Sequence, residues 1–189
     1  KQYIGEAYFF RAYSYFDLLQ LYGDVIITKK PLDITDPEMK VKRNDRSEVV
    51  DLIIDDLNHA VENLPAFKEL TTEEEGRISK EGAQAFLSRV ALYEGTWQKS
   101  RNGNQNTQRS ANLLDIAAKA ARTVIDAKYG YTFRLFGTDS ETKILGDSAQ
   151  KYMFILENEK SNPAGIKKSS NHEYIFARRH DQVLASIGK

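Results

Sequence analysis

Twenty-seven basic and 27 acidic residues cancel along a 189-residue chain, so no global field concentrates nucleic acid or anionic lipid, and a basic-patch function is disfavoured. The absence of cysteine removes disulfides, thiolate metal sites and thiol chemistry, and no apolar run approaches the roughly 20 residues needed to cross a bilayer as a helix. An apolar fraction of 41% with 11% aromatic residues is that of a chain able to build a core.

From Tyr3 to Tyr22 aromatic and apolar residues recur at helical spacing, with Ala7, Tyr8, Phe10, Arg11, Tyr15, Leu18, Leu19 and Tyr22 covering so much of the circumference that a mostly buried helix is expected. Gly23 closes it, Val25–Ile27 form a short extended run, and Pro31 and Pro37 mark a long connection. Asp45 or Ser47 then opens a second helix, in which Val50, Ile53, Ile54, Leu57, Ala60, Val61 and Leu64 hold the period until Pro65 ends it. The acidic run before Gly76 reads as a solvated loop.

The third helix has the clearest start: Ser79 as N-cap oxygen and Glu81 in the first turn. Ala83, Phe86, Leu87, Val90, Ala91, Tyr93 and Trp97 form a stripe wider than one face, which requires burial on two sides. The small residues Gly82, Ala85, Ser88 and Ala91 leave room for a second helix to approach closely. A polar segment from Gln98 to Asn112 cannot make a core, and Leu113, Ile116, Ala117, Ala120, Ala121, Val124 and Ile125 define a fourth helix. Beyond residue 131 the pattern loosens, with one short strand expected at Glu173–Ala177.

The fold class is therefore mainly α: tetratricopeptide-like helix pairs with long loop insertions and a short strand near the C-terminus. The expected units are about 3–65 and 79–127, with 131–189 mostly irregular. Tyr8, Ala12 and Tyr15 supply the large, small and aromatic positions of the first helix of such a repeat, and Leu57, Ala60 and Pro65 the end of the second. Ile53 stands where alanine is usual, and the second pair matches more loosely.

Candidate chemistry is sparse. Trp97 offers an indole for stacking on a sugar face, although its spacing from Val90 and Tyr93 assigns it to packing. Asn102, Asn104, Gln105 and Asn106 offer amides to sugar hydroxyls, which any solvated loop would also do. Glu73, Glu74 and Glu75 are consecutive on a loop and cannot hold an acid and a base across a glycosidic bond. His172 beside Glu173, and His180 beside Asp181, lack the spacing of a metal site and read as surface histidines. Arg178 and Arg179 read as solvent-facing charge, and Gly103 stands alone, outside any phosphate loop. No catalytic residue, metal site or cofactor is assigned, and no ligand-binding residue is known from the sequence.

Several stretches together resemble one family. They are Gly5-Glu6-Ala7 running to Phe10-Arg11-Ala12 and Tyr15-Phe16, followed by Leu21-Tyr22-Gly23-Asp24-Val25. Asp55-Asp56-Leu57 with Leu64-Pro65, Gly76-Arg77-Ile78-Ser79 with Ala83 and Leu92-Tyr93, and Glu173-Tyr174-Ile175-Phe176 complete the set. In these the chain is similar to the SusD/RagB outer-membrane lipoproteins, which capture nutrients, chiefly glycans, for a partner transporter. Ile26 departs from the proline common after Gly-Asp-Val in that family. Family members are several hundred residues long, so the resemblance implies a single piece, 1–189, of a larger SusD-like domain. It further implies a non-enzymatic protein on the extracellular face of the outer membrane, binding oligosaccharide or polysaccharide and covering a TonB-dependent transporter. Membrane contact would be made only through a lipid anchor outside this stretch. The rival expectation is a tetratricopeptide adaptor that holds a partner peptide.

Overall fold

The computed structural model describes residues 1–71, 73–74, 76–101, 107–156 and 158–176, apart from the side chains of residues 38, 39, 107 and 169. Four long helices carry the architecture: α1 (Gln2–Tyr22), α2 (Arg46–Asn63), α3 (Lys80–Arg101) and α4 (Thr107–Ile125). Helix α1 packs on α2, α3 on α4, and α2 on α3, which joins two helix pairs into one stack. The tetratricopeptide-like fold class expected from the sequence is the fold observed.

Local chemistry explains each boundary. Asp45, not Ser47, caps α2: its side chain accepts from Ser47 N at 2.8 Å, and Glu48 reaches back to Asp45 N at 3.2 Å. At α3 the Ser79 hydroxyl accepts from Gly82 N at 3.2 Å, as the sequence indicated. Helix α3 runs past Trp97 to Arg101, and α4 begins at Thr107, several residues before its apolar stripe. These polar turns bury no core, yet they are anchored: Ser110 Oγ donates to Gly95 O at 2.7 Å. Composition alone read them as loop.

The main core is built from Phe9, Ala12, Phe16 and Leu19 of α1, Val49, Val50, Ile53 and Leu57 of α2, and Ala83, Leu87 and Val90 of α3, with Leu113 and Ala120 of α4. At positions 12, 57 and 60 of the repeat pattern, Ala12, Leu57 and Ala60 are fully buried. Helix α3 is covered on two sides, by α4 and by α1 with α2, as its wide stripe required. Close approach to α4 is made at Ser88, whose hydroxyl donates to Ala117 O at 2.9 Å, and at Gly95, where a Cβ would meet Leu114 Cδ2 at 3.0 Å. Gly82, assigned to the same strip by its spacing, instead faces Ile78 of its own entry turn.

Two expectations are corrected. Helix α1 is two-faced rather than mostly buried: Tyr3, Ile4, Phe10, Leu21 and Tyr22 are each more than half exposed. The strand expected at 173–177 is absent, for residues 173–176 have no ladder partner; Ala177 lies outside the described residues. Arg134 N donates to His172 O at 3.1 Å, and the Phe176 ring packs on Phe9 at 6.2 Å. An alternating side-chain pattern therefore serves docking on α1 instead of a sheet. Val25 makes a single antiparallel bridge with Asn44. Between residues 136 and 166 a small second core gathers Phe136, Leu145, Ala149, Leu156 and Ile166 around the short helix α5 (Ala149–Phe154).

Gly5 marks the tightest joint of the first pair, since a Cβ there would lie 2.9 Å from Leu64 Cγ and 3.0 Å from Leu64 N. Backbone cannot give way as a flexible side chain can. Gly5→Ala is expected to cost about 1–3 kcal/mol by overpacking, and Ala91→Leu, at a position with no exposed surface, a similar amount. Ala118→Gln on the exposed side of α4 should change stability by no more than about 0.5 kcal/mol. Urea melts of the three variants check the assignment; equal shifts would contradict it.

Candidate functional site

Four arginines join elements distant in sequence, and they define the polar geometry of the surface. Arg11 of α1 grips Asp56 of α2 through Nε and Nη2 at 2.7 and 2.6 Å, and this pairing raises the guanidinium pKa. Arg77, just before α3, grips Glu6 of α1 at 2.7 Å through both nitrogens. Arg109 of α4 reaches Asp51 at 2.7 Å and Ser47 O at 3.0 Å on α2.

Arg46 sits where three helices meet. It donates to both oxygens of the fully buried Glu94 carboxylate on α3, at 2.8 to 3.2 Å, and to Leu19 O at the end of α1. Its backbone N–H is held by Asp24, and Gln98 donates to Glu94 at 2.7 Å. The Arg46 guanidinium also lies 4.3 Å from the centroid of Trp97, and that of Arg101 lies 4.7 Å away. Trp97 is thus a bearing surface for two cations, stacked further on Tyr93 at 6.1 Å, and not an open sugar platform.

The remaining sequence candidates are not brought together. Asn102, Gly103, Asn104, Gln105 and Asn106 lie outside the described residues, as do Glu75, Arg178, Arg179, His180 and Asp181. Glu74 caps its own turn, and the Thr71 N–H that it accepts lowers its pKa. His172 is half-buried rather than a surface residue: its Nδ1 meets the Tyr131 hydroxyl at 2.8 Å. Burial pushes the Tyr131 phenol above its ordinary value. The adjacent Glu173 turns to a different partner, Phe136 N at 2.8 Å. Among the described residues no three metal-ligating side chains converge.

Sequence reasoning missed three surface clefts. One of about 430 Å³ lies on the outer side of α1 between Tyr3, Ile4, Ala7, Tyr8 and Arg11. A second, about 320 Å³, lies between α2 and α4, lined by Asp51, Ile54, Asn58, Arg109, Asn112 and Ile116 among others. A third, about 560 Å³, is bordered by Ile27, Lys29, Lys30, Asn44 and Glu48. The first was hidden because its residues share the helical period that was read as burial.

Stacked helix pairs with long insertions, bracketed by arginines, define the class as a tetratricopeptide-like scaffold. Known proteins make it more specific. Residues 1–92 match the family SusD-like, described as starch-binding and associating with the outer membrane. A SusD-like protein of Formosa agariphila is 37% identical over 93 residues, covering 49% of this chain and 17% of that protein. A crystal structure of a SusD-like protein from Bacteroides fragilis superposes with a TM-score of 0.62 and 27% identity, covering 91% of this chain and 26% of that one. A laminarin-binding SusD-like protein superposes with a TM-score of 0.54 and 26% identity, covering 78% of this chain and 29% of that one. The first 92 residues thus resemble the SusD-like family and the fold of solved SusD-like proteins runs along most of the chain, which spans less than a third of the length of each of these relatives.

Two measurements test the polar geometry. Arg46→Met leaves Glu94 buried without its cation and should cost about 3–5 kcal/mol, much of it recovered when Glu94→Leu is added, by urea unfolding. The Asp139 carboxyl behaves differently. Desolvation pushes its pKa up, but the Thr142 N–H and hydroxyl and the Glu141 N–H hold it below the ordinary value. A depressed folded pKa adds stability that is complete above the unfolded value of about 3.9 and is lost as pH falls through the folded one. The stability gap between wild type and Asp139→Ala should therefore be widest near neutral pH and narrow below about pH 4.

Proposed function

We propose that the protein captures extracellular glycans at the outer-membrane surface without cleaving them, for import through a partner TonB-dependent transporter. The match of residues 1–92, which contain α1, α2 and the start of α3, to a family described as starch-binding carries this reading. The laminarin-binding relative, 26% identical over a shared fold, supports a glycan as the ligand class. The chemistry of the chain agrees. Its carboxylates Asp56, Glu94 and Glu6 are committed to arginines, and Glu81 accepts from Phe67 N at 2.7 Å, so these groups hold helices together and have no free acid–base partner. Charge balance gives no field for nucleic acid. No helix among the described residues is long and apolar enough to cross a membrane. In this reading attachment to the membrane comes through a lipid anchor outside residues 1–189.

The test uses protein made from its complete coding sequence. Calorimetry against starch-type and laminarin-type oligosaccharides should show saturable binding to at least one, and an assay for reducing ends should show none released. Co-expression with a TonB-dependent transporter from the same organism should yield a complex that purifies intact. Released reducing ends would establish an enzyme instead, and binding to a partner peptide with no glycan affinity would favour an adaptor.

A further inference from the structure

On the outer side of α1, a cleft is lined by the aromatic Tyr3 and Tyr8, the apolar Ile4 and Ala7, and Arg11. Both rings are braced. Arg77 lies 4.8 Å from the Tyr3 centroid, and His59 stacks on Tyr8 at 5.0 Å with 28° between planes. Neither Arg77 nor His59 lines the cleft, so the supports stand outside the space they shape. Of the two braces, Arg77 is fixed by its paired bonds to Glu6, and the lining residue Arg11 is fixed in turn by its paired bonds to Asp56.

Three properties narrow the ligand. The cleft, about 430 Å³, falls in the size range of small-molecule sites, about 300–1000 Å³. It is lined by five residues of one helix, too short a groove for the successive anchors of a docked peptide helix. Both neighbouring guanidinium groups are matched by a carboxylate, so the site carries no surplus positive charge for a phosphate, sulfate or acidic peptide. What it offers is a pair of aromatic rings for C–H faces, and the two Nη1 hydrogens of Arg11 that its fork to Asp56 leaves unused. Arg11 is about one-third exposed, at 35% of its side-chain surface, so these donors reach the rim.

We propose that the Tyr3–Tyr8 cleft on α1 binds a neutral hexopyranose unit of a glycan, an inference that rests on the glycan-capture reading above. The tyrosine rings take the apolar faces of the sugar, and Arg11 Nη1 donates to a hydroxyl at its edge. Exposed Phe10, on the same helix, lies outside the cleft and takes no part.

Calorimetry of the protein from its complete coding sequence, with laminarihexaose and maltohexaose as probes, tests this. Tyr3→Ala and Tyr8→Ala should each weaken binding of the preferred probe by about fivefold to tenfold, as loss of an aromatic contact does. Tyr8→Phe keeps the ring and should stay within about threefold, and Phe10→Ala should bind as wild type. Tyr3 is 74% exposed, so its replacement keeps the test valid even where Tyr8→Ala lowers the melting temperature. Unchanged affinity in both alanine variants, with wild type binding, overturns the cleft and leaves glycan capture standing. Wild type that binds neither probe overturns both. Equal weakening by Phe10→Ala, or variants that turn a dimer into a monomer without changing affinity, would make this face a protein interface and overturn the proposal.

Discussion

The stack of helices depends on one buried charge pair. Glu94 is fully buried in the middle of α3, and an unpaired carboxylate there would be driven to neutralise or to expel the helix. Arg46, 48 residues earlier, meets both oxygens and also holds the last turn of α1 through Leu19 O. A buried pair of this kind is weak evidence for net stability, because desolvation offsets most of its attraction. Its value is geometric: only one arrangement of α1, α2 and α3 satisfies the guanidinium, the carboxylate and the carbonyl together. Apolar residues would tolerate sliding along the helix axes, whereas a two-pronged fork does not.

The other three arginine pairs extend the same logic across insertions that an ordinary repeat would lack. More than 20 residues separate α1 from α2, and Arg46 N to Asp24, with Val25 bridged to Asn44, draws the ends of that connection together. Arg77 to Glu6 fixes the entry of α3 against the start of α1, and Arg109 to Asp51 fixes the start of α4 against α2. Long insertions add little closure entropy for each further residue. The scaffold thus carries them so long as each helix start is tied down.

How far the sequence could be read follows from which signals are local. Caps at Asp45 and Ser79, the stop at Pro65 and the period of Ile53, Leu57 and Ala60 act within a few residues, and the structure agrees with them. Partners are not local. Nothing in the wording of Gly82-Ala83-Gln84-Ala85 tells that Gly95, not Gly82, takes the close contact with α4. The roles of the arginines were not legible, since Arg46 and Glu94 meet across tertiary space. Trp97 shows the limit in the site itself: its spacing indicated packing, but the two guanidinium neighbours that occupy it are visible only once the helices are placed.

Helix α1 misled for an instructive reason. A helix apolar around most of its circumference reads as fully surrounded, because water is a poor neighbour for Phe10, Leu21 and Tyr22. In the structure α1 has α2 and α3 on one side, and its outer residues remain exposed. Exposure of Tyr3 and Ile4 is not random scatter, because Arg77 and His59 are arranged to hold the rings of Tyr3 and Tyr8 in place. Ordering an exposed side chain costs rotamer entropy, about 0.5–1.5 kcal/mol for a rotamer-rich group immobilised at an interface. Here that cost is met during folding by Arg77, whose fork to Glu6 also ties α3 to α1, and by His59 of α2. The bracing that makes α1 a rigid scaffold element therefore also pre-organises its outer face, so stability and the recognition proposed for that face would draw on overlapping contacts.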